Sequence, residues 1–156
     1  MTDQKQKNSP REAFTQFLNE RGLRKTPERF AITDKVLGMK DHFYIESLRE
    51  SMEKDGYRVS RATLYNTIQL LIEAGFVRRH QFDGQPAQYE KVSPKEVTNH
   101  HHLVCRKCGK VKEVKDAELI RALSLKRYRT FQPEFFTLYV YGTCSTCQRK
   151  LKKSNG

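Results

Sequence analysis

Residues 99–110 of this chain read NHHHLVCRKCGK, and this stretch decides the fold of the second half. It contains one Cys-x-x-Cys pair, and a second pair follows about 35 residues later, at the end of the chain. Each pair lets a tight turn direct two sulfurs at one ion, and four thiolates complete a closed tetrahedral site. Such a set suits zinc or an iron–sulfur cluster, and structural knuckles favour zinc. The predicted structural zinc ligands are Cys105, Cys108, Cys144 and Cys147.

The three histidines in front of the first pair add nitrogen donors that a closed thiolate site does not need. An internal histidine run is by itself more often a solvated polar stretch. On a strand, however, His100 and His102 point to one face and His101 to the other. Two imidazoles on one face begin a second metal site, which needs further ligands. The candidates are His42, Glu90 and Glu113, each of which alone is more often a surface residue.

Charge and length limit the classes of protein that fit. The chain has 156 residues, of which 37% are apolar, and its 30 basic and 18 acidic side chains give a formal charge of +12. Such a charge favours polyanions, with nucleic acid first and an acidic membrane surface second. Residues 93–156 carry 14 of the basic and 5 of the acidic residues, so charge alone would place that partner there.

Nothing in the sequence predicts a membrane protein or a secreted one. No apolar run approaches the roughly 18 residues that span a bilayer, and residues 1–10 lack the apolar core of a signal peptide. We therefore expect a cytoplasmic protein with no membrane partner. In a reducing compartment, paired cysteines indicate a metal site and not a disulfide.

The first half shows a pattern of helices followed by a β-hairpin. Thr26-Pro27 and Ser60 are helix starts, and apolar residues recur at helical spacing after each. Residues 76–82 and 88–90 predict two strands joined by the turn at Asp83-Gly84. Residues 26–91 thus predict three helices and a hairpin, which is a winged helix-turn-helix arrangement.

The second half predicts short strands, a knuckle and one helix. Its small core needs a zinc ion and a second copy of the chain to complete it. The fold class is therefore α+β, an N-terminal winged helix-turn-helix domain plus a C-terminal α/β dimerisation domain with a structural zinc knuckle. The predicted divisions are a winged-helix domain at 1–91 that includes a disordered tail at 1–10, a linker at 92–98, a dimerisation and metal-binding domain at 99–149, and a basic tail at 150–156.

The helix that follows Ser60 is the candidate DNA-reading element. Asn66 and Gln69 suit adenine edges, and Tyr65 can pack on a thymine methyl group. An exposed polar face without a ligand explains the same residues equally well. Basic side chains nearby could hold phosphates; they are Arg24, Lys25, Arg29, Arg58, Arg61, Arg78 and Arg79.

Taken together, these motifs resemble the ferric uptake regulator (Fur) family of bacterial metal-dependent repressors, over about residues 14–147. The most specific stretch is HHHLVCRKCGK at 100–110. The other carriers are Gly22-Leu23-Arg24 with Thr26 and Arg29, Arg61-Ala62-Thr63-Leu64-Tyr65, Ala74-Gly75-Phe76-Val77, Phe82-Asp83-Gly84 and Tyr141-Gly142-x-Cys144.

The resemblance implies a homodimeric repressor that binds a pseudo-palindromic double-stranded DNA operator. It implies structural Zn(II) at the four cysteines and a regulatory ion, Fe(II) or another divalent metal. The implied regulatory ligands are His42, Glu90, His100 and His102, with Glu113 sometimes joining. The resemblance also implies that Tyr65 and a basic residue at Arg24 or Lys25 touch DNA.

The chain departs from the family pattern at two places that matter. Relatives often carry a third metal site, but here Asn99, His101, Ile120 and Phe136 occupy its ligand positions, so we expect no such site. Asn66 stands where an arginine commonly follows the helix tyrosine, so operator preference or affinity is expected to differ.

Other functions remain open at this stage. A peroxide-, zinc-, manganese- or haem-responsive member of the same family is one alternative, although peroxide sensors tend to have Asp where this chain has Glu90 and no Cys-Pro dipeptide supports haem. A zinc-ribbon nucleic-acid-binding scaffold is another, consistent with the C-terminal charge. A metalloenzyme is not expected, because no His-Glu-x-x-His helix or comparable catalytic cluster appears.

Overall fold

The computed structural model describes residues 9–40, 42–92 and 100–156. The chain divides into two compact units. The first unit comprises Met1–His80 and Ala87–Pro94, and the second comprises Gln81–Pro86 and Lys95–Gly156. Most of the expected N-terminal tail and interdomain linker, and Asn99, lie outside the described residues. Within the described part of the chain, no helix is long and apolar enough to cross a bilayer.

Four helices build most of the first unit, and local sequence signals start them. They are α1 (Pro10–Glu20), α2 (Pro27–Gly38), α3 (Ile45–Lys54) and α4 (Arg61–Glu73). Thr26 Oγ1 accepts from the N–H of Arg29, and Ser60 Oγ accepts from that of Thr63, as the predicted N-caps require. The start of α3 differs from these two. Tyr44 makes no side-chain cap, and Ser47 Oγ instead accepts from the Tyr44 N–H at 3.1 Å.

A β-hairpin follows α4 and completes the winged helix. Strands β1 (Val77–His80) and β2 (Gln88–Lys91) pair antiparallel, with Arg78 opposite Glu90. An isolated bridge from Phe43 to Tyr89 ties the segment before α3 to the hairpin. The predicted order of three helices and a hairpin is therefore confirmed. The bridge between Phe43 and Tyr89 places β2 beside the segment that precedes α3.

The apolar faces of α1 to α4 and the hairpin form one buried core. Its members include Phe14, Ile32, Leu48, Leu64 and Tyr89. Leu64 has no exposed surface and lies on α4, one residue before the exposed Tyr65. The buried side of α4 therefore holds the helix on the core and leaves its other side to solvent.

Replacing Leu64 with alanine tests whether this core holds α4. We expect the Leu64→Ala variant to lose about 2–5 kcal/mol of unfolding free energy, because a fully buried leucine leaves a cavity that the core cannot refill. Urea denaturation followed by circular dichroism measures this loss. Gln69→Ala on the exposed side of the same helix is the matched control, with an expected change within about 0.5 kcal/mol. Equal effects of the two substitutions would contradict the assigned faces of α4.

The second unit is built on a three-stranded sheet. Strands β3 (His101–Cys105), β4 (Val111–Val114) and β5 (Tyr139–Gly142) lie in the order β4-β3-β5. β4 is antiparallel to β3 and β5 is parallel to it. The tip of the hairpin, residues 81–86, belongs to this unit. There the Gln85 amide donates to the Gly109 carbonyl at 2.7 Å, and the Asp83 N–H contacts the Tyr141 hydroxyl at 3.3 Å.

Two helices complete the second unit. α5 (Ala117–Ser124) starts after the N-cap Asp116, whose side chain accepts from the Leu119 N–H at 3.0 Å. α6 (Ser145–Ser154) extends through the basic run that the sequence predicts as a tail. The apolar run at 135–141 forms a regular strand only from Tyr139 onward. At this start of β5, Tyr139 lies opposite His102 of β3.

Candidate metal centres and nucleic-acid surface

The four cysteines lie together in the second unit, near the ends of β3 and β5. All four are free thiols, and their sulfurs lie within 4.8 Å of one another. Cys108 Sγ is 3.8 Å from Cys144 Sγ. Four sulfurs at ~2.3 Å from one zinc ion are about 3.8 Å apart, whereas disulfide sulfurs bond at about 2.05 Å. The cluster therefore fits a tetrahedral zinc ion and not a pair of disulfides.

Backbone donors favour the thiolate form within this cluster. The N–H of Cys144 lies 3.3 Å from Cys105 Sγ. This hydrogen bond, and a smaller contribution from the N–H of Cys108, lower the pKa of Cys105 to about 6. The N–H of Cys147 lowers the pKa of Cys144, while the neighbouring Cys144 sulfur raises the pKa of Cys147 to about 12. A divalent cation held among the four sulfurs would offset the negative charge of thiolate ligands.

Gly109 makes the first knuckle possible. Its φ of 75° lies in the left-handed region, and a Cβ there would meet the Gln85 amide at 3.3 Å. The glycine thus allows the turn after Cys108 and the close approach of the hairpin tip at the same time.

A second set of donors lies in the first unit, where the hairpin meets the segment before α3. His42 Nε2 lies 3.5 Å from Glu90 Oε2, and His80 Nε2 lies 2.6 Å from the same oxygen. The three side chains offer ligand atoms within 4.8 Å of one another. Their side chains expose 15% of their surface for His42, 12% for Glu90 and 2% for His80. The structure thus brings together the predicted candidates His42 and Glu90.

His80 is the residue of this set that the sequence analysis missed. It pairs with Gln88 on the hairpin, while Glu90 pairs with Arg78, so His80 and Glu90 are diagonal neighbours across two strands. Such neighbours are within reach of long side chains. Strand alternation combined with the hairpin register would identify His80, but the sequence alone does not give that register.

A third set lies in the second unit, on β3 and β4. His100, His102 and Glu113 offer ligand atoms within 4.8 Å of one another. The ring centroids of His100 and His102 are 5.0 Å apart, and His102 pairs with Glu113 across the strands. His102 is 3% exposed, and its ring packs against Phe82 and Tyr139. The predicted alternation of β3 is thus observed, with His100 and His102 close together.

His101 occupies a different environment. It is buried, and its Nδ1 has no hydrogen-bond partner among the described atoms. Among residues 9–40, 42–92 and 100–156, no donor cluster of three or more side chains includes it. Ile120 is buried and Phe136 is half-buried, and neither side chain can ligate an ion. The residues present therefore do not fit the family's third metal site, and Asn99 lies outside the described residues.

The exposed side of α4 carries the predicted DNA-reading residues. Tyr65, Asn66 and Gln69 are all exposed, and Tyr65 exposes 51% of its surface. The Gln69 amide lies 3.4 Å from the Glu73 carboxylate, a long contact that a base edge can replace. α4 thus presents an aromatic ring and two amides to solvent on one helix face.

The basic residues near α4 differ in how freely they can meet a phosphate. Arg24 and Lys25 are exposed, while Arg29 is half-buried and donates to the Arg24 carbonyl. Arg61 donates to the Glu46 carboxylate at 2.7 Å and 3.3 Å. This hydrogen bond lowers the pKa of Glu46 and raises that of Arg61. Arg29 and Arg61 therefore already have partners that a phosphate must share or displace.

A winged helix with an exposed reading face, a closed thiolate cluster and separate imidazole–carboxylate sets define a class of protein, the metal-responsive DNA-binding regulators. The ferric uptake regulator family model matches residues 20–141. The chain belongs to the ferric uptake regulator family, whose members are metal-responsive transcriptional regulators.

Known relatives agree with this assignment. The chain is 32% identical to a ferric uptake regulation protein of Neisseria meningitidis, with 87% of this chain and 94% of the relative covered. It is 25% identical to the peroxide-responsive repressor PerR of Staphylococcus aureus, over 85% of this chain and 88% of the relative. The solved structure of the ferric uptake regulator of Pseudomonas aeruginosa with manganese matches with a TM-score of 0.70 at 28% identity, covering 84% of this chain and 97% of that one.

Proposed function

We propose that this chain is an Fe(II)-responsive repressor that binds pseudo-palindromic operator DNA as a homodimer in the cytoplasm. The observation that carries the proposal is the separation of two kinds of metal donor. Sulfur donors form one closed cluster, and imidazole and carboxylate donors form other sets elsewhere. Thiolates select zinc and hold it tightly, while mixed nitrogen and oxygen donors accept Fe(II), Mn(II), Co(II) and Zn(II) and exchange more readily.

The thiolate cluster is proposed to hold Zn(II) permanently. Its four donors leave no open coordination position, so chemistry at this ion is not expected and the chain is proposed not to be an enzyme. Its contribution is to the fold. Among the described residues of the second unit, the buried apolar side chains are few: Phe82, Val104, Cys105 and Ile120. Such a core needs a metal staple.

The regulatory ion is proposed to take its ligands from His42, Glu90, His100 and His102, with Glu113 as a further candidate. This assignment follows the family resemblance. It is supported by the donor clusters within each unit, where His42 lies by Glu90 and His100 by His102. An ion that binds one arrangement of the chain more tightly shifts the population toward it. Metal-loaded protein is thus proposed to hold its reading helices at the spacing of successive major grooves, about 34 Å.

Fe(II) is proposed because the ligand set suits it and because relatives are named for ferric uptake regulation. The manganese-bound neighbour shows that a related protein also accepts another divalent ion. A peroxide-responsive function is the second candidate, favoured by the likeness to the Staphylococcus aureus repressor. Fe(II)-loaded protein that loses operator binding on brief exposure to micromolar hydrogen peroxide would support the second candidate over the first.

Homodimer formation is proposed from the surface of the second unit. Several large apolar side chains are exposed there; they include Leu125, Tyr128, Phe131, Phe135 and Val140. Val140 lies on β5, which is an edge strand of its sheet. Exposed apolar groups and the edge strand of a sheet are features that a second copy can cover. We therefore assign this unit to dimerisation.

Tyr65→Ala tests the proposed reading face. The substitution removes an exposed aromatic ring, so we expect operator affinity to fall about 10- to 100-fold, the cost of one good base contact, with no loss of thermal stability. Fluorescence anisotropy at fixed salt measures the affinity. Tyr57→Ala, which removes a similarly exposed tyrosine from the loop after α3, is the control and should bind as the unaltered chain does. Normal operator binding by the Tyr65 variant would exclude α4 as the reading helix.

The experiment for the function as a whole is a titration of DNA from the chain's own promoter region, after the zinc content has been verified. Protein is added with Fe(II), Mn(II), Zn(II) or no added cation. We expect metal-dependent binding of duplex DNA, with an affinity gain of about 5- to 150-fold, the usual range of coupling between two ligands. Equal binding of duplex DNA and RNA, with no response to any cation, would instead support the zinc-ribbon scaffold.

A further inference from the structure

His80 is a buried titratable residue whose role the proposed function does not explain. It lies at the end of β1 with 1% of its surface exposed, and its Nε2 is 2.6 Å from Glu90 Oε2. Its ring also lies against that of His42, with centroids 5.3 Å apart. His80 thus contacts both residues that the first unit is proposed to supply to the regulatory ion.

The distances from the two histidine nitrogens to Glu90 Oε2 distinguish a metal ligand from a hydrogen-bond donor. Two ligand atoms about 2.1 Å from one ion are about 3.4 Å apart in tetrahedral geometry and about 3.0 Å apart at right angles. His42 Nε2 and Glu90 Oε2, at 3.5 Å, match two ligands of one ion. His80 Nε2 and Glu90 Oε2, at 2.6 Å, are too close for that and match a short charge-assisted hydrogen bond. Because a carboxylate only accepts, the imidazole Nε2–H donates.

We propose that His80 is a positioning residue of the regulatory site, which holds the Glu90 carboxylate in the orientation that an ion beside His42 needs. Oε2 of Glu90 accepts the Nε2–H bond from His80 and keeps a lone pair for the ion. Ligating carboxylates are commonly held by such hydrogen bonds, and losing one typically costs 10- to 100-fold in metal affinity. The inference rests on the proposed regulatory site, because it assumes that Glu90 is a ligand.

Two substitutions that fill the volume of His80 test this role. His80→Leu removes the donor, whereas His80→Gln keeps an amide N–H that can reach Glu90. Zinc-loaded full-length protein is titrated with Co(II) in competition with a fluorescent chelator, and the visible absorption bands of bound Co(II) report its coordination. We expect His80→Leu to weaken Co(II) binding about 10- to 100-fold with unchanged bands, and His80→Gln to recover most of the affinity. Arg79→Ala, at the exposed neighbouring position on β1, is the control and should bind Co(II) with the affinity of the unaltered chain.

The outcomes distinguish a failure of the role proposed for His80 from a failure of the proposed regulatory site. Glu90→Ala is measured beside the His80 variants. If Glu90→Ala weakens Co(II) binding and alters the bands while His80→Leu changes neither, the role of His80 is wrong and the regulatory site stands. If Glu90→Ala has no effect, the ligand assignment itself is wrong. If His80→Leu changes the number or intensity of the Co(II) bands, His80 is a ligand and not a positioning residue.

A measurement on the unaltered chain covers the case in which the leucine variant does not fold. With ¹⁵N-labelled histidine and Zn(II) as a diamagnetic probe of the regulatory site, the Nε2–H signal of His80 should persist after the ion binds. Loss of that proton on metal binding would overturn the proposal, since a ligating nitrogen carries no proton.

Discussion

Replacing Cys108 with serine is expected to remove zinc from the chain and to unfold the second unit. Apparent binding free energies of structural zinc are about 10–16 kcal/mol, as large as the whole stability of many domains. The buried apolar core lies in the first unit, so the second has little else to hold it. We expect the Cys108→Ser protein to lose its bound zinc on dialysis against a mild chelator and to lose the dimer and operator binding with it.

Elemental analysis, circular dichroism melting and analytical ultracentrifugation measure the three losses in this variant. Thr146→Ala is the matched control, because Thr146 lies in the second knuckle between the ligands Cys144 and Cys147 and supplies none itself. Its zinc content and melting curve should equal those of the unaltered chain. A Cys108→Ser protein that keeps a full equivalent of zinc and melts normally would show that the cluster is not a structural metal site.

Alanine at both His100 and His102 is expected to abolish most of the metal response while leaving the zinc site intact. Losing even one group that supports a metal ligand typically costs 10- to 100-fold in affinity, so losing two imidazole ligands should cost at least about 100-fold. The substitutions lie before and at the start of β3, away from the cysteines at the end of the strand. We expect unchanged zinc content and dimer mass, with operator binding that no longer rises on addition of metal.

His101→Ala is the control for this double substitution. His101 lies between the two altered positions on the same chain segment but belongs to no donor cluster in the described part of the chain. Calorimetric titration with Mn(II) and operator-binding assays compare the variants. An unaltered metal response in the double variant, or an equal loss in His101→Ala, would refute the assignment of the regulatory ligands.

Much of the fold followed from local signals in the sequence. Thr26 and Ser60 cap helices where the sequence predicted, because a side-chain oxygen before an amphipathic run satisfies free N–H groups. The two cysteine pairs met in one cluster, since the strands and the helix between them return the chain to its first knuckle. A few neighbouring residues decided the helix caps, whereas the number and spacing of the cysteines decided the cluster.

The elements that the sequence analysis missed depend on tertiary contacts or on weak signals. α6 has no side-chain cap at Cys144, so nothing marked its start, although Lys152 and Lys153 in its last turn favour a helix end. The contact between His80 and Glu90 depends on the register of the hairpin, which the sequence does not specify. Similarly, the ion pair between Arg61 and Glu46 joins α4 to α3, so a predicted phosphate contact already has a protein partner.

We propose that the two kinds of donor set divide structural and regulatory roles within one small chain. The four-sulfur cluster fits an ion that stays bound, because backbone donors lower the pKa of Cys105 and the spacing of the sulfurs matches tetrahedral zinc. The imidazole and carboxylate sets suit an ion whose occupancy follows its supply. We therefore propose that the first ion maintains the fold on which operator binding depends, and that occupancy by the second ion sets the operator affinity.

The most direct test is to count the metal ions per chain and measure operator affinity on the same samples as Fe(II) is added under anaerobic conditions. We expect one zinc ion throughout, a second ion that saturates with added Fe(II), and operator affinity that rises about 5- to 150-fold in step with it. A single ion per chain at saturation, with operator affinity unchanged by added Fe(II), Mn(II) or Zn(II), would contradict this expectation.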